Sequence, residues 1–266
     1  MTPPLGYRTA RSVIELGRTA FFGTAEADLP ENRSPRLQAD DRTPQFGFVG
    51  SNYPSVRVLL FGINPGNGPD TGTRTAEDAR MIPALAEFAA DPTPERLVAA
   101  QRAYRTECVT WPVWRRHCAE VIGAGKLSLD DIAYGNCLPW RTASNSAFSD
   151  AVAERAATLY ARPLIAELQP KIVIALGKKA AEILRTTEGA PPDLIVWNRA
   201  QAATAAVIAE RAATAAAIFA RLRSTYRVSY RPDGGDSRAW ISRSWRFSSG
   251  IRCWIRSHKI SSSTPR

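Results

Sequence analysis

Histidine and cysteine are scarce in this sequence. Of 266 residues only His117 and His258 are histidines, and only Cys108, Cys118, Cys137 and Cys253 are cysteines. No His-x-x-x-His and no Cys-x-x-Cys pair occurs. The spacings that build zinc or iron–sulfur sites are therefore missing, and no cofactor is expected. The thiols are expected to be free, as in a reducing compartment. His117, within Arg115-Arg116-His117, reads as a surface or packed histidine. No apolar run approaches the roughly 20 residues that span a bilayer. Residues 1–11 lack the apolar stretch of a signal peptide. These absences predict a cytoplasmic protein without a membrane partner, and a monomer. No Gly-x-Gly-x-x-Gly follows the first strand, which argues against a dinucleotide binder. Gly-x-x-x-x-Gly-Lys-(Ser/Thr) is also absent, which argues against a P-loop nucleotidase.

Positive charge is abundant, but it is unevenly placed. The chain carries +10, and residues 223–266 hold nine Arg and one Lys against Asp233 and Asp236. That leaves only +2 for the first 222 residues. Basicity belongs to the tail, so net charge alone does not predict a nucleic-acid-binding body. From Tyr226 onward neither a period of 2 nor one of 3.6 survives, despite Trp240, Trp245 and Trp254. Residues 225–266 are expected to be a poorly ordered basic extension.

Three segments follow: a lead-in at 1–50, a domain at 51–224 and the tail at 225–266. The lead-in offers a short helix over 13–22 and a Pro-rich loop over 26–46 that is expected to wrap the domain surface. The domain alternates strands and helices. Strands are predicted at 56–61, 129–135, 171–176 and 194–197. Helices are predicted at 76–90, 94–107, 111–121, 148–168, 177–184 and 199–222. This alternation predicts an α/β fold, a three-layer α/β/α arrangement around a central, mostly parallel four-stranded sheet. Ligands of such sheets bind beyond the carboxyl ends of the strands. Three polar motifs fall there: the Asn64 loop, the Asn136 loop and the Gly177 turn.

The first of these, Gly62-Ile63-Asn64-Pro65-Gly66, follows directly on a buried strand. It resembles the first motif of the uracil-DNA glycosylase superfamily, closest to its mismatch-specific and single-strand-selective branches. Asn136, in Gly135-Asn136-Cys137-Leu138-Pro139, resembles the strand-end Asn that reads the flipped base. Residues 172–181, with Gly177-Lys178, resemble the strand-to-helix junction found late in these folds. The resemblance covers about 56–222. It implies a uracil-DNA glycosylase-like fold and a base-excision repair enzyme that hydrolyses the N-glycosidic bond of uracil, or a related damaged base, in DNA. Asn64 would be catalytic, orienting water through its amide. Gly62, Ile63, Asn136 and Asn198 would hold the base. Pro65, Gly66 and Lys178 would approach the backbone and phosphates, and DNA would be the partner.

The pattern departs at one place. The late His-Pro-Ser or Asn-Pro-Ser triplet is absent, and the equivalent stretch reads Val196-Trp197-Asn198-Arg199-Ala200. Losing a partner for the leaving base typically lowers rates about 100- to 1,000-fold. The alternative is therefore a weak or inactive member that binds DNA or a nucleobase without turnover. Met81, Phe88 and Trp140 are the candidates for stacking on the base. Plain structural readings also stand: a tight turn at 62–66, a turn Asn at 136, ordinary helix-start chemistry at Gly177-Lys178, and a solvated face for Arg74 and Arg80.

Overall fold

All four predicted strands form and pair in parallel within one sheet. The computed structural model describes residues 2–23, 43–65, 76–141, 149–185, 193–200 and 204–229, the side chains of 76–78, 219 and 223–229 excepted. These fall in two units, Met1–Ser224 and Thr225–Arg266. In the first unit β2 (Val58–Gly62), β3 (Ile132–Asn136), β4 (Ile172–Leu176) and β5 (Leu194–Trp197) pair in parallel. Every residue of β2, β3 and β4 is buried. That burial on both faces explains why the runs read as continuous rather than alternating. Each large side chain such as Leu59 or Phe61 contributes about 1.5–3 kcal/mol by leaving water.

The expected four-stranded sheet needs one correction. A fifth strand, β1 (Phe48–Val49), pairs antiparallel with β3, so the order is β1-β3-β2-β4-β5. Two residues are too few to leave a period in the sequence. Phe48 lies opposite Tyr134 and stacks on it with ring centroids 6.3 Å apart.

The lead-in helps to build the core, whereas residues 26–42 of the loop expected to wrap the surface lie outside the described residues. Helices α1 (Tyr7–Leu16) and α2 (Arg18–Phe22) bury Val13, Phe21 and Phe22 in the common core. The Thr9 amide and hydroxyl donate to Glu167 at 2.9 and 2.7 Å, tying α1 to the helix that precedes β4. Gly17, between the two helices, breaks the run that the sequence suggested over 13–22.

Helices cover both faces of the sheet. A single-turn helix α3 (Tyr53–Val56) precedes β2, and after β2 α4 (Ala76–Ala90) and α5 (Pro94–Cys108) form a packed pair. Thr93 caps α5, accepting from the Arg96 amide, and Pro94 opens it. A π-helical turn, Trp114–Cys118, then leads into α6 (Ala119–Gly125). The predicted helix over 148–168 is α7 (Asp150–Ala156), a π turn (Ala157–Ala161) and α8 (Arg162–Leu168). The π turn lies just ahead of Pro163, which has no N–H and crowds the carbonyl four residues back. α9 (Lys178–Arg185) follows β4, and α10 (Ala205–Ser229) follows β5. The last helix therefore begins at Ala205, not at Arg199 as its Ala-rich composition suggests.

Side-chain alternation along the strands sorts the faces. Tyr134 and Asn136 share one face with Phe48, beneath Tyr104 of α5 and Trp114 of the π turn. Gly135 lies on the other face, where a side chain would meet Leu164 and Phe61 at 3.5 and 3.7 Å. No helix among the described residues is long and apolar enough to cross a membrane.

Candidate active site

Strands β2 and β3 end together, and their ladder continues into the loops. Gly62 pairs with Asn136. The Cys137 amide donates to the Gly62 carbonyl at 2.9 Å, and the Leu138 amide donates to the Ile63 carbonyl at 3.0 Å. The segments 62–64 and 136–138 therefore run side by side at the carboxyl edge of the sheet, about 4.8 Å apart. Asn64 is half-buried and Pro65 is buried. Gly66 and Arg74 lie outside the described residues.

Asn136 is 1% exposed. Its amide nitrogen lies 3.5 Å from the Tyr104 hydroxyl, and its oxygen lies 3.4 Å from the Tyr134 hydroxyl. Both distances are long for hydrogen bonds, whose usual range ends near 3.2 Å. A carboxamide offers two donor hydrogens and two acceptor lone pairs. Among the described residues these two stretched contacts leave most of that capacity unused, and unmet hydrogen bonds are costly in a buried site. Burial pushes the Tyr104 and Tyr134 phenols well up from their ordinary range, so both stay neutral.

An aromatic cluster holds these groups. Tyr104 meets Trp111 edge-on at 5.3 Å and Tyr134 at 6.1 Å, and Trp114 meets Tyr134 at 5.0 Å. Sequence reading missed this cluster. Its signal was the period-2 step from Tyr134 to Asn136, which fixes both on one face. The candidate stackers go elsewhere. Met81 and Phe88 are fully buried, Phe88 lies against Phe46, and Trp140 packs on Phe21 at 4.8 Å.

His117 is packed, 8% exposed, and its Nδ1 has no hydrogen-bond partner among the described residues. Burial, then the charges of Arg199, Arg211 and Arg116, push it down to about 4, so it is neutral at pH 7. Cys118 beside it is buried, with its thiol pushed up to about 12 by the same desolvation. Arg80 is exposed, as the solvated-face reading expects. Its guanidinium forks onto Glu107 at 2.9 and 2.7 Å and holds that carboxyl below its usual range.

The late segment is arranged unlike the expectation for Asn198. The Asn198 carboxamide donates to Glu210 and accepts from the Ala200 amide at 2.8 Å, so it serves the turn into α10. Its neighbour Arg199 turns toward the strand ends. The Arg199 Cδ lies 3.4 Å from the position a Gly177 side chain would take. Gly177, at φ 104°, keeps that approach open. Lys178 is exposed at the start of α9.

An open cleft of about 350 Å³ lies between α1 and α8. Its carboxylate, Glu167, already accepts from the Thr9 amide and hydroxyl. Among the described residues no three His, Cys, Asp or Glu side chains gather to hold a metal ion. Among the described residues, the strand ends bring together the Asn136 carboxamide, the segment bearing Asn64, the Arg199 stem and the aromatic cluster. No family model and no curated protein matches the chain.

Proposed function

We propose that the chain is a monofunctional DNA glycosylase that hydrolyses the N-glycosidic bond of uracil or a related damaged base. One observation carries the reading. The buried, under-bonded Asn136 carboxamide stands in register with Gly62, beside the segment that bears Asn64. Asn136 supplies a donor and an acceptor for one pyrimidine edge. A base that mismatches them leaves buried polar groups unpaired, which discriminates by orders of magnitude. Asn64 orients a water toward the sugar carbon. A base reaches such a site only after leaving the helical stack, at a cost of a few kcal/mol.

The chemistry uses neutral groups at the sugar. The bond from C1′ to the base nitrogen breaks, and its electron pair stays with the base. Water adds to C1′ and loses a proton, and the base takes one up. Asn64 carries no charge, so the reaction leans on stabilising the departing base rather than the sugar cation.

The test is a labelled oligonucleotide with one uracil, incubated with the protein and then treated with alkali. Strand breaks with wild type, and none with Asn64→Ala, support the reading. The second reading is a protein that binds a nucleobase without turnover. It is favoured by the commitment of Asn198 to Glu210 and Ala200. Binding without breaks would select it.

A further inference from the structure

We propose that Arg199 stabilises the negative charge on the departing base, the task for which the late motif has no residue. The inference rests on the glycosylase reading.

Its first support is a clamp around the Arg199 backbone. Arg211 donates through Nε to the Asn198 carbonyl and through a terminal nitrogen to the Ala200 carbonyl, both at 2.9 Å. Arg211 is itself 3.7 Å from Glu120 of α6. The Asn198 side chain bridges the Ala200 amide and Glu210. Both neighbours of Arg199 are thus fixed to α10. Its own guanidinium makes no hydrogen bond or ion pair among the described residues. A side chain held at its root and, among the described residues, without a partner at its head is prepared for a ligand.

The second support is direction. Phe61 and Ala175 are the last pair of the β2–β4 ladder, two residues before Ile63 and Gly177 on their strands. The Arg199 stem lies on Gly177, one strand away from Ile63-Asn64. Its charge is felt at His117, Cys118 and Tyr134. The head therefore reaches from β5 across β4 toward the face that carries Asn136. His117, nine-tenths buried with an orphaned Nδ1, adds a neutral polar group on that side. It cannot be the cation, because burial and three arginines keep it unprotonated.

The third support is chemical. When the bond to C1′ breaks, the pair left on the ring nitrogen spreads onto the ring carbonyl oxygens. Guanidinium is always charged and presents planar paired donors that match such oxygens. A donor aimed at developing charge in a water-poor site is typically worth about 100- to 1,000-fold in rate.

The experiment uses the full chain under single-turnover conditions. Oligonucleotides carry uracil or 5-fluorouracil, whose fluorine already stabilises the anion. Wild type, R199K and R199Q are compared. R199Q should lose about 100-fold on uracil and clearly less on 5-fluorouracil, with R199K between. Substrate affinity should change little. Equal losses on both bases, or a loss in affinity alone, would overturn the proposal and assign Arg199 to positioning or to a phosphate. No loss at all would overturn it too. A melting temperature for R199Q far below wild type would contradict the unpartnered head on which the argument stands. If wild type releases neither base, the glycosylase reading falls and this inference falls with it. If wild type is active and R199Q is insensitive to the base, only the inference falls.

Discussion

Gly62 and Asn136 face each other across the β2–β3 ladder, and the Asn136 amide oxygen lies where a side chain on residue 62 would be, 2.4 Å from that position. The bare backbone of one residue makes the room that the other fills. A Gly at the end of an otherwise apolar strand thus has a packing reason that does not depend on turn chemistry.

Gly62→Ala should therefore displace the Asn136 side chain. Overpacking of this kind costs about 1–3 kcal/mol. Chemical denaturation should show that loss, and base release should fall by more than the stability change explains. A variant as stable and as active as wild type would show that Asn136 can move aside freely.

Asn136→Leu tests the opposite balance. It removes an under-bonded buried amide and leaves Tyr104 and Tyr134 close enough to interact with each other. Stability should stay within about 1 kcal/mol of wild type, because little hydrogen-bond energy is lost. Activity should disappear. A large destabilisation would mean that the two long tyrosine contacts hold the fold together, not a ligand site.

Glu107 links α5 to α4 through Arg80. Its pKa is lowered in the folded state, first by the Arg80 hydrogen bond, from an ordinary value of 4.5. The pair's contribution is present above pH 4.5 and is lost as pH falls through the folded value. Arg80 is more than half exposed, which limits the gain. Arg80→Ala should cost on the order of 1 kcal/mol at pH 7 and less below pH 4. Urea titrations at both pH values measure it, and an equal cost at the two would count against the ion pair.

His117 predicts a higher window. Its folded pKa is about 4, against 6.5 ordinarily. Above pH 6.5 both folded and unfolded forms are neutral, and no penalty exists. Between pH 6.5 and 4 the unfolded chain takes up the proton first, so the fold loses stability, by roughly 1–3 kcal/mol. His117→Gln should flatten the stability curve across that range. Parallel curves for the two proteins would disprove the assignment.

The buried thiols give a direct probe of the core. Cys108, Cys118 and Cys137 are free and buried, and desolvation raises all three thiols. All three should resist alkylation at pH 8 until the protein is unfolded. Mass spectrometry after brief iodoacetamide treatment would show this, and rapid labelling of any of them in the native protein would contradict its burial.

The sequence by itself determined the parallel strands and the helices between them, because both depend on local patterns. Residues 172–176 and 194–197 are short apolar runs rich in Ile, Val and Leu, the pattern of core strands. It also placed Asn64 and Asn136 at strand ends, since Gly62 and Pro139 stop the runs around them. Only the tertiary structure decided which residues meet. The pairing of Gly62 with Asn136 is a matter of register between segments 74 residues apart, and register follows from packing across the whole sheet. Tyr134 shares a face with Asn136 by the period-2 step of one strand, but Tyr104 reaches Asn136 from α5, which no local spacing announces. Arg199 was hidden in an Ala-rich stretch that reads as helix. Its neighbours Asn198 and Ala200 are held by Arg211 and Glu210 only once α10 has folded back against the turn. Local propensity writes the elements; the neighbours of a charged or amide side chain are settled by long-range contacts, where burial and hydrogen bonding outweigh propensity.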